Sequence, residues 1–218
     1  MTKEEVISKT AEYVNQKLLG ESSGHDWWHI LRVWNNAKHI LKAETGVDSF
    51  VVELAALLHD IADWKFNGGD ETAGAVIARD WLLELGVEQK VADHVYKIIA
   101  TSSFKGAAVD IPMETLEGKI VQDADRLDAL GAVGIGRTFA YGGNRGREMY
   151  NPEVKPQLHD SAQKYMMNTS PTINHFYEKL LLLADRMNTK TARKIAKHRH
   201  KYMEVFLDEF FKEWNGTA

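Results

Sequence analysis

Apolar residues recur at i, i+3 and i+4 along most of this chain, the spacing that lays one apolar stripe on a helix. Thr2 and Glu5 have the capping-box spacing and open a helix predicted to run to Leu19, with Gly20 as its stop. A second helix is predicted from His29 to about Glu44, and a third from Asp48 to about Ala62. The third is apolar on nearly every side (Phe50, Val51, Val52, Leu54, Ala55, Leu57, Leu58), so it belongs at the centre of the fold. Asp70 reads as the N-cap of a helix ending before Gly86, and Glu88 to Ala100 gives another. Asp110-Ile111-Pro112 suits the start of a helix through Leu130, because proline fits a first turn. Gly131 to Ala140 reads as a short helix. Ser170-Pro171 opens one reaching about Arg186, and Asn188 or Thr189 opens the last, to Trp214. No alternating run is long enough for a strand, and no internal repeat is present. The predicted fold is therefore all-α, a compact multi-helix bundle.

Residues 141–156 break the pattern with three glycines, two prolines and three basic residues. They read as a long loop, either a surface connection or a lid over a site.

Composition changes this picture little. The 218 residues are 44% hydrophobic and 27% charged, ordinary for one globular domain over 1–218. A net charge of -4 carries no basic footprint, so no nucleic-acid partner is expected. The absence of cysteine excludes disulfides, thiolate metal ligands and cysteine nucleophiles. The N-terminal residues MTKEEVISKTAEYV do not form a signal peptide, and no apolar run approaches a membrane span. A cytoplasmic protein is the expectation, with a homo-oligomer permitted.

The informative stretch is LAALLHDIADW, Leu54 to Trp64. An apolar run ends on His59-Asp60, where the chain should be most buried. Burying a polar group without a partner costs roughly 2–7 kcal/mol, and a charge costs more. Asp60 therefore needs a hydrogen-bonded neighbour or a cation. Two other segments offer companions. Gly24-His25-Asp26-Trp27-Trp28-His29 leads into the second helix. Val121-Gln122-Asp123-Ala124-Asp125-Arg126-Leu127-Asp128 places three aspartates in an otherwise apolar helical pattern.

At these residues the chain resembles the HD-domain metal-dependent phosphohydrolases. His29, then His59-Asp60, then Asp125 match the family's H…HD…D order, and the flanking residues Arg32-Val33 and Asp123 to Ala132 resemble a small bacterial subgroup. The resemblance covers most of 20–215, with core motifs at about 20–135 and a C-terminal helical extension at about 157–215. It implies an all-helical HD-domain bundle and metal ligands at His29, His59, Asp60 and Asp125. Two imidazoles and two carboxylates form a mixed N/O set suited to Mn, Fe, Co, Ni, Zn or Mg. One ion, with manganese favoured, is expected, because two-metal relatives use further histidines between the HD pair and the last aspartate. Here that interval holds only His94.

The reaction the resemblance implies is hydrolysis of a nucleotide. The expected substrate is a nucleoside or deoxynucleoside triphosphate, cleaved to monophosphate and pyrophosphate. A divalent ion suits water attack at phosphorus by lowering the pKa of a bound water and polarising a phosphoryl oxygen. Asp63, three residues after Asp60, corresponds to the family's acidic residue that assists the water. Arg32, at i+3 from His29, matches phosphate geometry, and Lys65 is a further phosphate candidate. His25, Lys105, Asp128, Arg145 and Arg147 are candidates for holding substrate. For the basic members of this group, a solvated surface charge is the competing reading. A monophosphate nucleotidase and a metal- or nucleotide-binding regulatory module without turnover are the alternatives. The basic run Lys190 to Lys201 reads as an exposed helix face.

Overall fold

A computed structural model describes residues 1–20, 24, 26–62, 72–102, 112–159, 161, 163–164 and 167–217. The described residues contain helices and turns and no strand, as the apolar periodicity predicts. They fall into two compact units, Met1–Phe104 with Ile111–Asp125, and Lys105–Asp110 with Arg126–Ala218.

The first unit holds α1 (Lys3–Lys17), α2 (Trp27–Leu41), α3 (Ser49–Leu58), α4 (Ala73–Glu84), α5 (Gln89–Ser102) and most of α6 (Leu116–Asp128). The expected capping box is present: Glu5 N donates to Thr2 Oγ1 at 3.2 Å, and Thr2 N donates to Glu5 Oε2 at 2.8 Å. α3 is the central helix. Phe50 to Val52 and Leu54 to Leu58 are all buried, and α1, α2, α4 and α5 pack around it. Each fully buried Leu or Val stabilises by roughly 1.5–3 kcal/mol, so α3 is the main apolar anchor of this unit. Its one partly buried polar side chain, Glu53, accepts from Trp34 Nε1 at 2.9 Å. Trp81 of α4 stacks on Tyr13 of α1, its ring centroid 4.0 Å away, and donates Nε1–H to Thr10 Oγ1.

Two predicted starts move. α2 begins at Trp27, because Asp26 caps it. α6 begins at Leu116 rather than at Pro112, because the Thr115 hydroxyl accepts from Gly118 N at 3.2 Å and supplies the cap. Asp70, Asp110 and Ile111 lie outside the described residues.

The second unit holds the last turn of α6, α7 (Gly131–Asn144), α8 (Asn174–Glu178), two 3₁₀ turns (Leu180–Leu182 and Ala184–Arg186) and α9 (Lys190–Trp214). α7 runs four residues further than predicted, so Tyr141 to Asn144 are helix rather than loop. The glycine that suggested a loop is there for packing: a Cβ on Gly142 would stand 2.2 Å from Thr172 Oγ1. The helix closes at Gly146, whose φ of +65° suits glycine. The single helix predicted from Ser170 to Arg186 is broken. After Glu178 the backbone leaves the helical region at Lys179 (φ −140°), and the 3₁₀ turns that follow align the buried Leu180 and Leu183. α9 is capped by Thr189 and packs on α7, with Phe206, Phe139 and Phe176 in mutual ring contact.

Candidate metal centre

Three helix ends or faces of the first unit deliver the cluster. His29 is the third residue of α2. Its backbone N–H donates to Asp26 Oδ1 at 2.9 Å, so the cap that starts the helix also seats the histidine. His59 is the C-cap of α3, and Asp60 follows it out of the helix. Asp125 lies on α6 after the fully buried Ala124. Asn36, two turns beyond His29 on α2, donates Nδ2–H to the Ala124 carbonyl at 3.2 Å and ties α2 to α6 beside Asp125.

The side chains converge. His29 Nε2 lies 3.2 Å from His59 Nε2, 3.4 Å from Asp60 Oδ2 and 3.6 Å from Asp125 Oδ1. His59 Nε2 lies 3.6 Å from Asp60 Oδ2 and 3.9 Å from Asp125 Oδ1. One ligand atom each from His29, His59 and Asp125 fits within 4.8 Å, a grouping able to hold a metal ion. Bonds of about 2.1 Å would set neighbouring ligand atoms of an octahedral ion about 3 Å apart, so the separations suit a single small divalent cation with slight tightening.

Protonation supports the same fit. His59 Nδ1 is 2.9 Å from the Ala56 carbonyl, which can only accept, so Nδ1 carries the proton and Nε2 offers its lone pair to the cluster. The imidazoles are buried, with side-chain exposure of 0% at His29 and 4% at His59, while Asp60 and Asp125 keep 31% and 43%. The carboxylates are thus the solvent-facing half of the cluster.

Other expected site residues are placed differently. Arg32 is partly buried on α2, one turn after His29. His94 faces Thr115 Oγ1 at 3.1 Å, within the first unit's helix packing. In the second unit, Asp128 is buried and accepts from Arg137 Nη1 at 2.9 Å. Arg126 donates to the Arg186 carbonyl. Arg145 and Arg147 both lie over the Tyr141 ring, 5.5 and 5.6 Å from its centroid, and Arg147 also donates to the Asn168 carbonyl. His25, Asp63, Lys65 and Lys105 lie outside the described residues.

Sequence reasoning placed Asp26 at a helix entrance without giving it a role, and overlooked Asn36 and Arg137. Asp26 had a legible signal, an N-cap residue type just before a helix. Asn36 and Arg137 had none, since their partners are 88 and 9 residues away.

A family model for the HD domain matches residues 27–130, from the first turn of α2 to just past α6, and so spans the whole cluster. The chain is also 40% identical to the Bacillus subtilis protein YpgQ over 206 residues, covering 94% of this chain and 91% of YpgQ. This chain belongs to the HD-domain family. Among solved structures, this HD-domain protein is similar to an HD-superfamily hydrolase from Bacillus thuringiensis, with 48% identity, a TM-score of 0.75 and coverage of 98% and 99% of the two chains. It is also similar to the crystal structure of YpgQ in complex with ADP, with 36% identity, a TM-score of 0.75 and coverage of 97% and 100%. No helix among the described residues is long and apolar enough to cross a membrane.

Proposed function

We propose that this HD-domain protein is a metal-dependent phosphohydrolase that cleaves nucleoside or deoxynucleoside triphosphates to monophosphate and pyrophosphate. The observation that carries the proposal is the cluster of His29, His59, Asp60 and Asp125, with its imidazoles buried and its carboxylates facing solvent. The hydrolase relative and the ADP complex of YpgQ support the reaction class and the nucleotide.

In this reading those four residues hold one divalent ion, manganese by preference. Such an ion, when bound, supplies Lewis acidity toward water and toward a phosphoryl oxygen. The chain's own residues do the rest. The Ala56 carbonyl orients the His59 ring, and Asp26 holds the backbone of His29 at the start of α2. Arg32 binds phosphate with its planar fork, and Lys65 adds a second positive charge. Asp63 accepts the proton lost by the attacking water. His25, Lys105, Arg145 and Arg147 are the further candidates for holding the polyphosphate. Asp128, which accepts from Arg137, is a further candidate.

The test is a panel of nucleoside mono-, di- and triphosphates, ribo and deoxy, with Mn, Mg, Co, Ni and Zn, products separated by chromatography. Pyrophosphate release from triphosphates is expected. Inorganic phosphate from monophosphates alone would select the nucleotidase alternative. Tight binding of a nucleotide whose mass never changes would select the non-catalytic module.

A further inference from the structure

The charges of α9 are arranged against its own dipole. From Lys190 to Lys201 every Lys, Arg, Asp or Glu is basic, and the second half carries the acids Glu204, Asp208, Glu209 and Glu213 with one cation, Lys212, which pairs with Asp208 and Glu209. A helix N-terminus carries partial positive charge and its C-terminus partial negative charge, so cations first and acids last is the unfavourable order. Within the helix, the lysines at 190, 194 and 197 have no acid at i±3 or i±4. Two of the cations are explained by local structure: Arg193 donates to the Met187 carbonyl, and Arg199 to the Leu127 carbonyl. Lys201 pairs with Glu204 at 3.2 Å, whereas the exposed lysines at 190, 194 and 197 have no such acid within the helix.

The outward stripe of α9 is built as a mirror of itself. It runs Lys194, His198, Tyr202, Val205, Glu209, Glu213, with spacings of four, four, three, four and four residues. All six are exposed, and the two central apolar residues keep 53% (Tyr202) and 57% (Val205) of their surface. The chemistry runs basic, basic, apolar, apolar, acidic, acidic.

We propose that this stripe is an interaction surface for a second copy of the chain, with the two α9 helices antiparallel about a two-fold axis between Tyr202 and Val205. That arrangement sets Tyr202 on Val205 of the second copy, His198 on Glu209 and Lys194 on Glu213, each contact made twice. It is the self-complementary interface that a two-fold dimer requires. The helices' dipoles then oppose, and each basic half meets an acidic half along a seam of roughly 28 Å at 1.5 Å per residue.

The experiment is sedimentation of the full chain with two variants, Lys194→Glu/His198→Glu, which makes the first end of the stripe acidic, and Glu209→Lys/Glu213→Lys, which makes the other end basic. Wild type is expected at twice the 24.7 kDa chain mass, weakening as salt approaches ~1 M, where the Debye length falls to about 3 Å. Each variant alone should dissociate at least about tenfold more readily, and the two mixed should form a heterodimer. Unchanged helical circular dichroism confirms that the exposed substitutions leave folding intact. A wild type that stays monomeric at high micromolar concentration overturns the proposal. So does a dimer indifferent to both variants, or a basic half that binds a polyanion while the chain stays monomeric.

Discussion

His29 and His59 are thirty residues apart in sequence, yet their Nε2 atoms stand 3.2 Å apart. The start of α2 meets the end of α3, and Asp60 and Asp125 close the group from the solvent side. With the His59 proton committed to Ala56, its lone pair points at the other ring. A cation shared by the four groups, as proposed above, would take up that lone pair and neutralise the carboxylates, which gives the arrangement direct consequences.

Purified protein should carry one divalent ion per chain by elemental analysis. His59→Ala or Asp60→Ala should lose it. Stripping the ion should lower the melting temperature by about 5–10 °C, because a ligand at a hundredfold excess over its Kd stabilises by about 2.7 kcal/mol. Wild type that is metal-free after expression with added Mn, and shows no thermal shift on Mn addition, would falsify this.

Asp26 accepts from the His29 N–H, so Asp26→Ala should cost about 1 kcal/mol of stability, typical of a lost N-cap. It should also weaken metal affinity, because the cap seats a ligand. Asp26→Ser, which can still cap, should recover both. Calorimetric titration with Mn measures the second effect; affinity unchanged in Asp26→Ala would show that the cap stabilises α2 without positioning His29.

Glu178 is buried and accepts from the Gln157 N–H, Asn168 Nδ2 and the Ser170 hydroxyl. Glu178→Ala strands three donors, each costing roughly 1–3 kcal/mol when left unsatisfied. The second unit should then lose several kcal/mol in urea unfolding. Amides of 157–178 should lose hydrogen-exchange protection first. A loss below about 1 kcal/mol would mean that water replaces the carboxylate easily.

Burial, reinforced by Lys179 and then Arg147, pushes His175 down from 6.5 to about 3. The folded protein therefore keeps His175 neutral where the unfolded chain is protonated. Its contribution to stability is complete above pH 6.5, declines as pH falls, and is gone below about pH 3. Within that window the slope approaches roughly 1.4 kcal/mol per pH unit. His175→Gln should flatten the urea-unfolding profile between these limits; an unchanged slope would assign acid sensitivity to other groups.

The helices were legible where caps and apolar period agreed. Thr2, Asp48 and Thr189 each cap the helix their position predicted. α3 was legible as central because no other location buries eight apolar residues in ten. Reading failed where long-range contacts overrode local signals. Residue 142 is glycine because Thr172 leaves no room for a side chain, and the glycine hid a position that is helical. The 170–186 helix breaks at Lys179, beside a Glu178 that the 157–170 segment uses as its acceptor.

The sequence by itself determined that the protein is helical and which imidazoles and carboxylates belong to the HD pattern, because helical period and motif order are properties of the chain alone. Only the tertiary structure decided that His29, His59, Asp60 and Asp125 share one small volume, that Asp26 and Asn36 hold two of them in place, and that Asp128 pairs with Arg137. These depend on distances between segments up to nearly a hundred residues apart, which packing sets and local propensity does not encode.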